Sequence, residues 1–206
     1  FRDGYERMAE NADKVKELLI KVLPKIARRD EEFIKGKIRS IPDFPKKGII
    51  FRDITTLLAD NEGMKRVINV FFERYKDKGI NVVVGVESRG FIIGGILADK
   101  LGVGFVPIRK PGKLPYEIIS EEYELEYGKD KVEIHKDAIN LGDNVLLIDD
   151  LLATGGTSLA SANLIEKLGG KIEEVGFIVE LPDLNGRKKL GDKGHNVFSI
   201  VSFEGE

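Results

Sequence analysis

The chain has 206 residues, 42% of them hydrophobic and 33% charged, which is the make-up of a soluble globular protein forming one domain, or one domain with a subdomain. A net charge of −2 argues against broad electrostatic binding to nucleic acid, and the absence of cysteine excludes disulfides, thiol nucleophiles and Cys-ligated zinc. With only two histidines, His135 and His195, and no 18-residue apolar run or secretory h-region, the sequence predicts a cytoplasmic protein with no membrane span and no His-rich metal site.

Residues 1–30 read as an N-terminal helical extension, because Tyr5, Met8, Ala12, Val15, Leu19 and Val22 recur at helical spacing until Pro24 breaks the pattern. The main domain is expected over residues 31–206. It opens with a helical stretch from about Asp30 to Ser40 and a two-proline turn, IPDFPKKG. GIIFRDITTLL then reads as a short strand running into a short helix, and Glu62 to Tyr75 as a helix burying Val67, Val70, Phe71 and Phe72.

From Asn81 the pattern changes. NVVVGVE is a β-branched run ending at the polar turn SRG, followed by the apolar helix FIIGGILADKL. GFVPI and NVLLIDD are further strands, the second leading into the helix TSLASANLIEKLG, and VGFIVEL and VFSIV close the series. Strands alternating with helices predict an α/β fold, with a mainly parallel twisted sheet covered by helices on both faces. Residues 109–139 interrupt that order: a basic Pro/Gly loop continues as two alternating stretches around Gly128, Lys129 and Asp130, a hairpin expected to act as a lid.

The chemistry concentrates in VLLIDDLLATGGTSLA, residues 145–160. Adjacent strand residues point to opposite faces, so Asp149 and Asp150 cannot both be ordinary surface charges. In an open α/β sheet ligands bind outside the carboxyl ends of the strands, where these acids are expected. The loop ATGGT then opens a helix, whose free N–H groups and dipole favour an anion, and Thr154 and Thr157 add hydroxyl donors. Phosphate and paired carboxylates repel, but a sugar phosphate satisfies both, with its phosphate in the loop and its hydroxyls on the acids. Neither G-x-x-x-x-G-K-[ST] nor G-x-G-x-x-G occurs. Alone, ATGGT is also compatible with a plain strand-to-helix turn.

The same stretch resembles the phosphoribosyl pyrophosphate (PRPP) motif of type I phosphoribosyltransferases. PDFPKKGIIFRDITTLL, VESRGF, IRKPGKLP, LEYGKDKVEIHKDAI and VELPDLNGR look like segments of the adenine-specific branch, and the resemblance spans roughly Phe33 to Glu206. It implies that Asp149 and Asp150 hold the ribose hydroxyls and that Ala153, Thr154, Gly155, Gly156 and Thr157 hold the 5′-phosphate. Ser88 and Arg89 would meet pyrophosphate after a cis Glu87–Ser88 peptide, with Arg109, Lys110 and Lys113 as further phosphate ligands. Phe51 would stack on the base, the backbone of Ile50 and Arg52 would read its edge, and Leu151 and Leu181 would close the other face. Glu126 would face N7 of the base. Taken alone, Phe51 is equally readable as a core strand residue, while Leu181 reads as core and Glu126 as a solvated charge.

The implied activity converts adenine and PRPP into AMP and pyrophosphate, with Mg²⁺ bound mainly through the substrate, in a homodimer serving purine salvage. The rival readings are transfer to a 6-oxopurine or pyrimidine, and a PRPP-sensing regulator that binds nucleic acid.

Overall fold

Five β-branched runs meet in one parallel sheet in the computed structural model, which describes residues 11–12, 14–15, 28–124 and 128–205. Residues 28–37 are helical (α1), followed by β1 (Arg39–Pro42), β2 (Ile50–Asp53), α2 (Thr55–Leu58) and α3 (Asn61–Tyr75). The sheet elements are β3 (Val82–Val86), α4 (Arg89–Leu101) and β4 (Gly104–Ile108), then β7 (Asn144–Leu152), α5 (Gly156–Lys167), β8 (Lys171–Glu180), α6 (Gly186–Gly191) and β9 (Val197–Ser202). Between them stands the antiparallel hairpin of β5 (Ile118–Glu124) and β6 (Lys129–His135). Among the described residues no helix is long and apolar enough to cross a membrane.

The strand order is β4-β3-β7-β8-β9, every pair parallel. Both faces are buried, which is why β3 is five apolar or glycine residues in a row. Alternation divides the strands between two cores. Val83, Leu146 and Ile148 join Phe71, Ile93 and Leu97 from α3 and α4 on one face. Val82, Val84, Val145 and Leu147 join Leu164 and Ile165 from α5 on the other. α3 begins at Asp60, whose side chain accepts the Gly63 N–H at 2.8 Å. Its fully buried side includes Ile68 and Tyr75 with Val67 and Phe71, while Val70 and Phe72 are only partly buried.

Three expectations need correction. The helix expected to reach Ser40 ends at residue 37, because Arg39–Pro42 pairs with β2 and Arg39 meets the Asp53 carboxylate at 2.5 Å. A following proline also disfavours helix at Ile41. Lys129 and Asp130 belong to β6 rather than to the hairpin turn, pairing with Glu124 and Tyr123. β7 does not stop at Asp150, the end of the expected strand NVLLIDD, but runs through Leu152, held by β8, whereas its pairing with β3 ends at Ile148. Of the helix expected over 5–22, residues 11, 12, 14 and 15 are described and helical, and the rest lies outside the described residues.

Along its described length the 109–139 excursion is anchored rather than free. Arg109 and Glu133 exchange backbone hydrogen bonds of 2.9 and 2.8 Å, and Tyr123, Val132 and Ile134 are buried in the core beneath α5. Glu121 accepts hydrogen bonds from Asn163 at 2.9 Å and Lys167 at 2.5 Å on α5.

Candidate active site

The strand order reverses between β3 and β7: the chain leaves β3 toward β4 on one side and β7 toward β8 on the other. In a parallel sheet such a switch point opens a crevice at the carboxyl ends of the strands, the usual ligand position. Because β7 stops pairing with β3 at Ile148, its last four residues, Asp149 to Leu152, border this crevice on the β3 side.

Asp149 and Asp150 stand there. Asp150 is 7% exposed, Asp149 is partly buried, and the Asp150 N–H donates to Asp149 Oδ1 at 2.8 Å. Burial of its carboxyl group, and then the negative charge of Asp150, push Asp149 well above the usual carboxylate range. Across the crevice Arg89 Nε lies 2.5 Å from Asp150 Oδ2. Arg89 opens α4 immediately after Ser88, and the Glu87–Ser88 peptide is cis as the resemblance implies. α4 can start this close to β7 because residue 90 is glycine: a Cβ there would meet Ile148 O at 2.9 Å and Asp149 Oδ1 at 3.2 Å.

Beyond the acids, Ala153, Thr154, Gly155, Gly156 and Thr157 line a small pocket with Asp149, Leu151 and Ser158. Gly155, at φ +76°, turns the chain into α5, and this left-handed conformation is the one position in the loop that demands glycine. Gly156 faces the hairpin, where a Cβ would meet the Tyr123 ring at 3.2 Å. The loop therefore lies between the start of α5 and β5.

The basic residues are differently disposed from a free cationic cluster. Arg109 donates twice to the Glu87 carboxylate at 3.3 Å, Lys113 lies 3.7 Å from it, and the Lys110 N–H donates to it at 2.9 Å. Burial raises Glu87, but the Lys110 N–H and the Arg109 guanidinium outweigh it and hold its carboxyl below the usual range. The Lys110 ammonium is bound by Asp130 and by the Tyr123 hydroxyl, the latter at 2.6 Å. Glu87 and Tyr123 were not singled out from the sequence. The position of Glu87, last in the strand run before SRG, was the available signal.

The residues expected at the base lie on separate elements. Phe51 is on β2, its ring 5.3 Å from that of Phe44. Ile49 directs its N–H to Lys46 O and receives the Phe44 N–H on its carbonyl. Strand alternation then aims the N–H and C=O groups of Ile50 and Arg52 at the open edge of the ribbon. The Arg52 guanidinium lies 4.2 Å over the Phe203 ring, just past β9, which sets the ribbon at the carboxyl end of the sheet. Leu151 and Leu181 pack on the core of the α3–α4 face, and the Leu181 N–H donates to Leu152 O at 2.9 Å. Glu126 lies outside the described residues. His135 sits on β6 with its ring 6.3 Å from Tyr116.

Paired acids beside a glycine-turned loop at a helix start thus stand at the switch point of a parallel sheet, the place where such folds bind their ligands. The family model described as phosphoribosyl transferase domain matches residues 53–205. The adenine phosphoribosyltransferase of Chlorobium phaeovibrioides is 62% identical over 175 residues, 84% of this chain and 99% of that protein. The crystal structure of the Thermoanaerobacter pseudethanolicus adenine phosphoribosyltransferase is 51% identical and superposes with a TM-score of 0.80, covering 84% of this chain and 99% of that one. The Saccharomyces cerevisiae enzyme, solved with an imino-altritol bisphosphate and adenine, is 40% identical with a TM-score of 0.79, covering 84% of this chain and 99% of that one. The chain belongs to the phosphoribosyltransferase family, in its adenine phosphoribosyltransferase branch, and is an enzyme of glycosyl transfer.

Proposed function

We infer that this enzyme joins N9 of adenine to C1′ of PRPP, releasing pyrophosphate and forming AMP. The observation that carries this reading is the switch-point geometry: Asp149 and Asp150 beside the 153–157 loop, with Arg89 reaching in from the end of β3. The loop would take the 5′-phosphate on its backbone N–H groups. The two carboxylates would accept hydrogen bonds from the ribose hydroxyls and so fix the sugar ring. Arg89, exchanging Asp150 for an anion, would bind pyrophosphate, and Arg109, Lys110 and Lys113 would turn toward it from Glu87 and Asp130.

As the C1′–O bond breaks, positive charge develops on the ribosyl carbon and negative charge on the departing pyrophosphate. The basic side chains would stabilise the second. The first would be exposed to water, and closure of the 109–139 excursion would exclude it. The outward N–H and C=O groups of Ile50 and Arg52 suit the donor and acceptor edge of adenine, with Phe51 against its face and Leu151 and Leu181 opposite. The proton leaving the base would pass to Glu126 near N7.

Among the described residues no group of three or more His, Asp or Glu side chains is placed to hold a metal. Mg²⁺ commonly keeps water and substrate phosphate oxygens beside one or two carboxylates, and Asp149 and Asp150 fit that partial donor set. Bound mainly through PRPP, the ion would neutralise charge on the pyrophosphate. We place the reaction in cytoplasmic purine salvage and the chain in a homodimer. Ile92 and Ile96, one turn apart on α4 and 46% and 43% exposed, support the second inference.

The test is AMP and pyrophosphate release from PRPP, Mg²⁺ and each of adenine, hypoxanthine, guanine and uracil. Turnover confined to adenine is expected. Preference for a 6-oxopurine or for uracil would overturn the base assignment.

A further inference from the structure

The phosphate loop, ATGGT, contains no cationic side chain, and its surroundings are acidic. Asp149 lines the same pocket, and Glu122 and Glu124 of the hairpin line the neighbouring one with Gly156. A phosphate dianion entering here would meet carboxylates on two sides. Backbone N–H groups and a helix dipole would oppose them with only fractional charge.

Among the described residues Lys189 is the only cation lining the pocket of Glu122, Glu124 and Gly156, and it also lines the groove that contains Thr154. Its placement follows from two glycines. A Cβ on Gly155 would meet Gly186 O at 3.0 Å, and a Cβ on Gly186 would meet Ala153 O at 2.2 Å, so α6 starts in direct contact with the loop. Lys189 lies three residues beyond Gly186, on the same helix face one turn along. α6 is further secured by Arg187, which donates to the buried Glu180 carboxylate at 2.8 Å and to Val197 O at 2.6 Å. That contact occupies Arg187, and Lys188 is paired with Asp192 at 2.8 Å. The exposed Lys189 ammonium has no ion pair or hydrogen bond among the described residues.

We propose that Lys189 supplies the full positive charge for the 5′-phosphate, binding it from α6 on the side opposite the ribose acids. The inference rests on the reading of 153–157 as the phosphate loop and adds a side chain to it. An extended lysine at this place would draw phosphorylated ligands past Glu122 and Glu124. It would contribute to binding the ribose phosphate rather than to bond breaking, so its loss would be felt in affinity.

Calorimetric titration of AMP and of adenine, with steady-state KM and kcat for PRPP, tests this on the full chain. Lys189→Ala should weaken AMP binding and raise the PRPP KM by about 5- to 20-fold, the range for a charge-assisted contact discounted for exposure. Adenine affinity and kcat should stay within about twofold, and Lys189→Arg should restore most of the AMP affinity. Lys193→Ala removes the same charge from the same groove beyond the end of α6 and should change AMP affinity less than about twofold, since screening weakens distant charges. Unchanged AMP affinity in Lys189→Ala, or an equal loss in Lys193→Ala, overturns the proposal. Thr157→Ala separates the two levels. If it loses AMP affinity while Lys189→Ala does not, only the role of Lys189 fails. If both retain it, the phosphate-loop reading fails as well.

Discussion

Arg89 Nε and Asp150 Oδ2 stand 2.5 Å apart across the β3/β7 crevice, so each proposed substrate-binding group is held by the other. On that proposal PRPP would offer both another partner, pyrophosphate oxygens for the guanidinium and a ribose hydroxyl for the carboxylate. The pair also keeps Asp150, 7% exposed, from standing as an unpaired buried charge.

Asp150→Asn should therefore damage activity more than folding. Losing one charge-assisted hydrogen bond costs ~1.5–3 kcal/mol, a fall of about 10- to 150-fold in kcat/KM for PRPP. The freed Arg89 remains able to bind pyrophosphate, so pyrophosphate affinity should hold or rise. Wild-type kcat/KM in this variant would remove Asp150 from the ribose site.

For Asp149 the pH dependence carries the test. Burial and the neighbouring Asp150 charge hold its pKa above the ordinary carboxylate value, so its ionised form destabilises the fold at neutral pH. As pH falls through the raised folded value the folded protein takes up a proton and that cost disappears. Asp149→Asn should thus raise Tm at neutral pH, and the gain should shrink as pH is lowered toward the ordinary carboxylate range. A gain that grows on acidification would contradict the assignment.

Asp53 behaves in the opposite sense. Hydrogen bonds from Arg39 and Thr55 lower its pKa to about 2, so its contribution to stability is present above the ordinary value near ~4 and is lost as pH falls through about 2. This pair ties β1 to β2, the ribbon that carries Phe51. Asp53→Asn should lower Tm clearly at pH 6 and much less near pH 2.5, with a raised KM for adenine. Equal Tm losses at the two pH values would mean that the Arg39 contact is not the cause.

The strands were legible because a sheet buried on both faces requires continuous apolar runs such as Val82–Val86, and the turn from β7 into α5 because its glycine pair stands out between a strand and a helix pattern. β1 was not: RSIP is short, mostly exposed and extended only because Ile50–Asp53 lies beside it. Arg109 and Lys113 read as free cations because Glu87, which pairs with both, lies more than twenty residues earlier in the chain. The approach of Gly186 to Gly155, and with it the position of Lys189, likewise joins segments far apart in the chain. Pairings between distant segments are what composition and periodicity leave out.

Glu126 is the remaining assignment, and its test depends on chemistry rather than on position. When N9 attacks the ribosyl carbon the imidazole ring of adenine becomes electron-poor, and a proton at N7 must be held or removed as the bond forms. In the reverse direction, protonating N7 makes adenine a better leaving group. One carboxyl group near N7 can accept the hydrogen bond in one direction and donate the proton in the other. Glu126→Leu should lower kcat by ~10²–10⁴, the span expected for losing a general acid–base. PRPP affinity should change little, since the proposed holders of the sugar phosphate are Asp149, Asp150 and the 153–157 loop. Glu124→Leu is the control: Glu124 ends β5, is exposed, and lies opposite Lys129 in the hairpin register, so its loss should be milder. kcat for both variants and a direct PRPP titration make the comparison. Equal, small effects would leave Glu126 as one more solvated charge and would require another group to manage the N7 proton.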